Sequence, residues 1–333
     1  MTSRERVKRA VLFEGPDKVP CALPEPYRND FTGGGPLAKP VMKWEQNVDY
    51  VQRQTDEFGC VWEKLAGDKT MGQVVEFPLD DYSKLASFKF PNYKEPDRYK
   101  HLPEMIEKNK REEKFFLAGI PFSLIHRLEY LRGHEAAWTD PYEYPEELEN
   151  LLDILSDIAI DAIDMLTELG GVDGIISYDD WGLQDRPMIS PDIFAKFWAP
   201  RYKRVYNYAH KKGMLTFLHS CGHITDLLPH LIDAELDVIQ QDQQENMGID
   251  ILSKRFGGKI CFWDPVDIQG VMIRGSVEDV RAYARKLIDS FGRFNGGFIA
   301  KWYPDPDAVE HSWEKIHAMC QEFMEYGEKI YQK

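Results

Sequence analysis

The sequence predicts an α/β protein whose fold is a (β/α)8 barrel, or TIM barrel, formed as a single domain over residues 1–333. Eight short apolar runs are separated mostly by stretches of helical periodicity, which is the alternation expected of parallel strands joined by helices. The length of 333 residues suits such a barrel. Residues 214–240 show the repeating unit most clearly, because an apolar strand, an amphipathic helix and a second apolar strand follow one another.

The elements can be placed in order from periodicity and from Gly and Pro. An amphipathic helix is predicted over 2–13 and ends before Gly15-Pro16. A long helix over 144–169 carries an apolar stripe of Leu and Ile, and a further helix is predicted over 224–234. The eight barrel strands are predicted at 19–23, 58–65, 115–120, 174–178, 214–218, 236–240, 259–263 and 296–302.

Two segments between the first strands lack a clear pattern. Residues 24–40 contain Gly33, Gly34 and Gly35 in succession, which predicts either a flexible lid or a plain linker. Residues 74–100 are interrupted by three prolines and are predicted to form an irregular insertion over the mouth of the barrel.

His219 and Cys221 leave the predicted strand 214–218 two residues apart. Side chains at this spacing share a face, and Gly222 lets the backbone turn away, so imidazole and thiolate could hold one ion. This mixture of ligands suits zinc. The alternative is a core histidine beside a buried thiol, because structural cysteines are common and zinc needs three or four ligands.

The other strand ends supply an acidic pair and several aromatic residues. Carboxyl ends of barrel strands meet on one face, so these residues are expected near His219 and Cys221. Asp179 and Asp180 are predicted to be catalytic, as proton donor or substrate clamp, with a helix cap as the alternative. Four aromatic residues are predicted to bind a flat substrate, with core packing as the alternative for each: Trp181, Trp263, Trp302 and Tyr303.

Composition excludes several classes of partner. A formal net charge of −15 argues against nucleic acid, since a phosphate backbone requires a basic surface. No apolar run is long enough to span a membrane. The five cysteines have no paired spacing, so we expect a reduced, cytoplasmic protein.

Four stretches of the sequence carry a resemblance to a known family. They are RERVKRAVLFEGPDKVP near the amino terminus, SYDDWGLQDRPMISPDIFAKFWAPRYKRV around the fourth strand, HSCGHITDLLPHLIDAELDVI after the fifth, and GGFIAKWYPDPDAVEHSWEKIHAM at the last strand and helix. Together they run from residue 4 to about residue 319. They resemble the uroporphyrinogen decarboxylase superfamily, and in particular its branch of zinc- and corrinoid-linked methyltransferases, where a His-x-Cys pair binds zinc.

The sequence departs from that superfamily at positions that distinguish its branches. Uroporphyrinogen decarboxylases carry an arginine-rich segment after the first strand, whereas CALPEPYRNDF offers Arg28 alone. Coenzyme-M-type methyltransferases place a cysteine ligand after the last strand, where this chain has Trp302-Tyr303-Pro304, and Cys261 lies too deep to replace it. Oxygen atoms are therefore expected to complete a zinc site, and the candidates are Glu25, Glu63, Asp242, Gln243 and Tyr303.

The resemblance implies the methyltransferase component of an O-demethylase. Such a protein moves a methyl group from a small methoxylated aromatic compound to the cobalt of a corrinoid (cobalamin), with zinc assisting. The chain shows no cobalamin-binding module, so the corrinoid is expected on a partner protein; a homodimer is left open. The alternatives are a cofactor-independent decarboxylase, in which Asp180 would hold pyrrole N–H groups, and a non-enzymatic barrel that binds an aromatic compound or a corrinoid.

Overall fold

A computed structural model describes residues 1–40, 43–46 and 50–331. Its helices and strands follow one another in a largely alternating order. In chain order they are α1 (Ser3–Val11), β1 (Cys21–Ala22), β2 (Phe31–Gly34), β3 (Glu45–Gln46), β4 (Val51–Thr55), β5 (Val61–Leu65), β6 (Gln73–Glu76), α2 (Leu102–Glu112), β7 (Phe115–Gly119), α3 (Leu124–Arg132), α4 (His134–Glu143), α5 (Pro145–Leu169), β8 (Gly174–Tyr178), α6 (Pro191–Phe197), α7 (Ala199–Lys211), β9 (Leu215–His219), α8 (Leu228–Asp233), β10 (Val238–Gln240), α9 (Ile249–Phe256), β11 (Cys261–Asp264), α10 (Val271–Arg274), α11 (Val277–Phe291), β12 (Phe298–Lys301) and α12 (Trp313–Gly327).

Eight strands form one parallel sheet in the order β1-β12-β11-β10-β9-β8-β7-β2, with helices between them. Consecutive strands are neighbours from β7 to β12, and the sheet curls into a nearly closed barrel. The predicted (β/α)8 barrel is therefore confirmed. The registers Tyr178↔His219, His219↔Gln240 and Gln240↔Trp263 bring the ends of four strands to one level at the mouth.

Side chains of the barrel strands alternate between two apolar layers. Inward positions such as Phe115, Phe217, Val238 and Ile299 fill the barrel, whereas the intervening positions pack against the helices. The long helix α5 buries the predicted stripe against the outside of the barrel: Leu148, Leu151, Leu152, Leu155, Ile158, Ile163 and Leu166.

The second barrel strand is not the predicted one. Residues 58–65 contribute β5 to a separate antiparallel sheet in the order β3-β4-β5-β6, and the barrel strand is β2, inside the segment predicted as a lid or linker. A Cβ atom on Gly33 would lie 2.1 Å from the carbonyl oxygen of Leu117, so glycine is what lets β2 approach β7. The glycines thus mark close strand packing, and the prediction of a lid or linker is wrong.

The inserted antiparallel sheet is anchored to α3 by an ion pair. Asp56 accepts a hydrogen bond from Nη1 of Arg127 at 2.9 Å, and its carboxylate also caps the backbone at Phe58 and Cys60. The region predicted to be irregular contains β6 and two short 3₁₀ helices, Tyr82–Ser87 and Pro96–Tyr99. Among the described residues, no helix combines the length and the apolar character needed to cross a membrane.

Candidate active site

The mouth of the barrel contains an open cavity of about 510 Å³. Its wall is formed by residues at the ends of β8, β9, β10 and β12, in the loops that follow these strands, and in the loop after β11. They are Tyr178, His219, Cys221, Gln240, Asp242, Gln243, Ile268, Lys301, Tyr303, Pro304 and Asp305. The position agrees with the general rule that barrel enzymes place their active sites at the carboxyl ends of the strands.

Asp180, His219 and Cys221 form a compact set of donor atoms, and two of these residues, His219 and Cys221, line the cavity. One donor atom from each lies within 4.8 Å of the other two. Nε2 of His219 is 3.3 Å from Sγ of Cys221 and 3.5 Å from Oδ1 of Asp180. Ligands of a tetrahedral zinc ion are about 3.3–3.8 Å apart, given bond lengths of about 2.0–2.3 Å. The three residues therefore fit a zinc ion with one position left for a substrate oxygen.

The loops after β8 and β9 interlock and hold these donors in place. Cys221 N donates to Asp180 Oδ1 at 2.8 Å, and Gly222 N donates to Gln243 Oε1 at 2.8 Å. Gly222 has φ +77°, and a Cβ there would lie 2.1 Å from the carbonyl oxygen of Gly182. Glycine is required on both counts, which explains the His-x-Cys-Gly sequence at this turn.

The tautomer of His219 follows from its hydrogen-bond network. Gln240 Nε2 donates to Asp242 Oδ1 at 3.1 Å, so the amide oxygen of Gln240 faces Nδ1 of His219 and must accept its proton. In the neutral imidazole, Nε2 then carries no hydrogen, and it faces Asp180 and Cys221. Such outer hydrogen bonds orient histidine ligands in metal sites.

The Cys221 thiol is held in its protonated form by its surroundings. Burial raises its pKa, and the carboxylates of Asp180 and Asp242 raise it further, against the opposing charge of Lys301. A thiolate at this position therefore needs a cation beside it, as metal coordination would supply.

Asp179 has a structural position, which corrects its predicted catalytic role. It is fully buried, and its carboxylate accepts hydrogen bonds from the backbone N–H groups of Leu124, Ile125 and His126 at the start of α3. Ser123 and Tyr202 donate to it as well. Burial raises the pKa of Asp179 despite these donors. The residue is a helix cap with no oxygen facing the cavity.

Trp181 lies in the core, which corrects its predicted role in substrate binding. Its side chain is fully buried, its Nε1 donates to the Tyr202 hydroxyl at 3.0 Å, and Phe194 and Trp198 pack edge-on against it. No face of the ring is free to stack on a ligand.

Of the other three predicted aromatic residues, Trp263 and Trp302 pack against other aromatic rings, whereas Tyr303 lines the cavity. Trp263 stacks on Phe31 with ring centroids 5.2 Å apart inside the barrel, and Trp302 packs against Trp313 at 6.1 Å. Tyr303 does line the cavity. Tyr178, at the end of β8, also lines the cavity and packs against His219 with ring centroids 5.8 Å apart. The cavity thus has two tyrosine rings on its walls.

The oxygen ligands suggested from the sequence occupy different places. Asp242, Gln243 and Tyr303 line the cavity, but Asp242 is paired with Lys301 and Gln243 with the backbone of Gly222. Glu63 pairs with Arg53 in the antiparallel sheet, and Glu25 is exposed after β1. Asp180, predicted as a catalytic acid, is the carboxylate that lies beside the histidine and cysteine. Its other oxygen is 3.8 Å from His126 Nε2.

Several solved structures share the general architecture at low similarity. Xylanase 10B from Thermotoga maritima has a TM-score of 0.45 and 11% identity, covering 74% of this chain and 90% of that one. A D-psicose 3-epimerase has a TM-score of 0.42 and 8% identity, with coverage of 73% and 85%. A chitinase from Chromobacterium violaceum has a TM-score of 0.41 and 10% identity, with coverage of 67% and 84%. These low similarities give no information about the activity of this chain.

The sequence was also compared with curated proteins and with family models. No curated protein matches the chain. The family model described as uroporphyrinogen decarboxylase (URO-D) matches residues 57–326, which include strands β5 and β6 of the antiparallel sheet, six of the eight barrel strands (β7 to β12) and the whole His-x-Cys loop. On this match the chain belongs to the uroporphyrinogen decarboxylase (URO-D) family.

Proposed function

We propose that this protein is the methyltransferase component of an O-demethylase system. It would take a methyl group from a methoxylated aromatic compound and pass it to the cobalt of a corrinoid carried by a partner protein. The observation that supports this function best is the close grouping of Asp180, His219 and Cys221, which would supply three ligands to a zinc ion and leave a fourth position for a substrate.

The charge of the cavity favours an uncharged ether over a porphyrinogen. Among the described residues, Lys301 is the single Lys or Arg in the cavity wall, and Asp242 neutralises it. A substrate with many carboxylates needs several cationic partners. An aryl methyl ether needs none, and the rings of Tyr178 and Tyr303 offer an apolar wall of suitable size.

The chain's own residues would orient the substrate for methyl transfer. Zinc held by Asp180, His219 and Cys221 would supply a Lewis acid for the ether oxygen, where negative charge develops as the methyl group leaves. Gln240 keeps His219 in the tautomer that a ligand requires. The tyrosine walls would hold the ring and leave the methyl group facing the mouth, from which the corrinoid must approach.

The test combines metal analysis with an assay. Protein purified without chelator is expected to contain about one zinc per chain. With reduced corrinoid on a competent carrier protein, a methoxybenzene should yield the phenol and methyl-cobalt, followed by the corrinoid's absorption. Asp180→Asn, His219→Ala and Cys221→Ser should each lose most zinc and most activity.

His134→Ala is the matched control, because this histidine is 76% exposed and contacts Glu129 away from the cavity. It should keep both zinc and activity. Decarboxylation of uroporphyrinogen by the purified chain, with no methyl-cobalt from any aryl ether, would instead support a decarboxylase and refute the proposal.

A further inference from the structure

We infer that Lys301 selects methoxylated aromatics that carry a second oxygen on the ring, as a hydroxyl or a carboxylate. This inference rests on the proposed function, since it names the substrate class of the same site. It starts from the position of Lys301, which is the last residue of β12. Ile299 faces the barrel interior, so the alternation of the strand directs Lys301 to the same side, where it lines the cavity with His219 and Cys221.

Within the part of the chain that the structure describes, the ammonium group of Lys301 is held in place by one hydrogen bond and has further N–H donors that make none. Its side chain is 11% exposed, and its Nζ donates to Asp242 Oδ1 at 2.8 Å. Among the described residues this is its one protein acceptor, so two of its three N–H donors remain available. Asp242 also accepts from Gln240, which contacts His219. Lys301 is therefore held at a set place relative to the metal ligands.

The apolar character of the nearby cavity wall determines which ligand groups could accept hydrogen bonds from Lys301. Ile268, Pro304 and the tyrosine rings form apolar walls, so an incoming aromatic ring would displace water from Lys301 without replacing its hydrogen bonds. A ring-borne oxygen acceptor would replace them. Burying a cation's donors unpaired is costly, so a substrate without such an oxygen should bind more weakly.

A pair of ligands of nearly equal size isolates this contact. Methoxyphenols and methoxytoluenes differ by a hydroxyl in place of a methyl group, and the ortho, meta and para isomers of each should be titrated by calorimetry into the zinc-loaded protein. At least one methoxyphenol should bind about tenfold or more tightly than its methoxytoluene partner, because hydrogen bonds to charged groups are among the stronger ones. The methoxybenzoates form the third arm and show whether a carboxylate is the preferred acceptor.

Variants of Lys301 test whether the preference for methoxyphenols over methoxytoluenes depends on this residue. Lys301→Met should bring each pair to within about twofold, as the donor is then lost. Because this change leaves Asp242 buried without its partner, the double variant Lys301→Met with Asp242→Asn removes both charges and should bind like the single variant. Lys212→Met is the matched control and should keep the preference, because Lys212 follows α7 at the opposite face of the barrel and pairs with Asp164 at 2.8 Å.

The outcomes separate the two proposals. If wild type shows no preference for any oxygen-bearing ligand, or if the preference survives in both Lys301 variants, the inference about Lys301 is refuted, even when methyl transfer is observed. If the preference depends on Lys301 but no aryl ether ever yields methyl-cobalt, the inference about ligand class stands and the proposed reaction fails.

Discussion

Neighbouring residues at one strand end have opposite roles in this protein. Asp179 faces the start of α3 and is enclosed by its backbone N–H groups, whereas Asp180 turns toward His219 and Cys221. The sequence places both at the mouth of the barrel. It could not separate them, because the helix that Asp179 caps lies more than 50 residues earlier in the chain.

Trp181 is expected to matter for stability rather than for ligand binding. Trp181→Ala removes a fully buried indole and should lower the free energy of unfolding by about 3–5 kcal/mol, as for other large core residues. Urea denaturation measures this change. The affinity of the remaining folded protein for a methoxylated aromatic should be unchanged. Weakened affinity without loss of stability would contradict this expectation and show that Trp181 contributes to ligand binding.

Asp264 is expected to keep its proton to a higher pH than an ordinary carboxyl group. It is fully buried at the end of β11, and neither carboxyl oxygen has a hydrogen-bond partner among the described residues. Burial raises its pKa well above 3.8, and the charge of Asp242 raises it further, against the opposing effects of the nearby Gln241 backbone N–H and of Lys301. At pH values between the unfolded and the folded pKa, the folded state thus binds a proton that the unfolded state releases.

The sign of the pH effect follows from linkage. The contribution of Asp264 to stability is fully present below its unfolded pKa and is lost as pH rises through its raised folded pKa. Asp264→Asn cannot titrate, so the stability of this variant relative to wild type should increase with pH across that window. Urea denaturation at pH 5 and pH 8 tests this, and a difference that does not change with pH would contradict it.

At the level of elements, strand β2 was the least predictable from the sequence. Apolar runs identified the other seven barrel strands, because a strand buried on both faces is rich in apolar side chains. β2 reads FTGG and carries two glycines, so it has neither the apolar content nor the propensity of a strand. Its place depends on contact with β7, which sequence periodicity does not report.

Gly33 provides a direct test of that contact. Gly33→Ala would place a Cβ 2.1 Å from the Leu117 carbonyl oxygen, so β2 must move away from β7, and we expect destabilisation of more than about 2 kcal/mol. Gly119→Ala is the matched control, since a Cβ at that glycine of β7 meets no atom within 4 Å. Equal thermal stability of the two variants would contradict the tight approach of these strands.

Over the whole molecule, the residues at the strand ends could be predicted from the sequence better than which strands pair with one another. His219 and Cys221 could be placed at the mouth because each follows an apolar run, and the same alternation could have identified Lys301 beyond Ile299. The antiparallel sheet could not be separated from the barrel, because a strand such as β5 has a similar apolar pattern in either setting. Only pairing partners distinguish the two.

A metal bound at the mouth should stabilise the whole fold. Asp180 and Cys221 lie on different loops and meet only when β8 and β9 are paired, so the unfolded chain lacks the site. A ligand that binds only the folded state adds about 2.7 kcal/mol to the free energy of unfolding at a concentration 100 times its dissociation constant. Urea denaturation of wild type with excess zinc, compared with excess chelator, should show a difference of this order.

The variants decide whether that stabilisation comes from the proposed site. In the double variant His219→Ala with Cys221→Ser, zinc and chelator should give the same free energy of unfolding, because two of the three ligands are gone. His134→Ala should keep the difference seen in wild type, since its exposed imidazole lies outside the cavity. A zinc effect of equal size in all three proteins would mean that the metal binds elsewhere, since stabilisation by linkage requires the ligands that hold the ion.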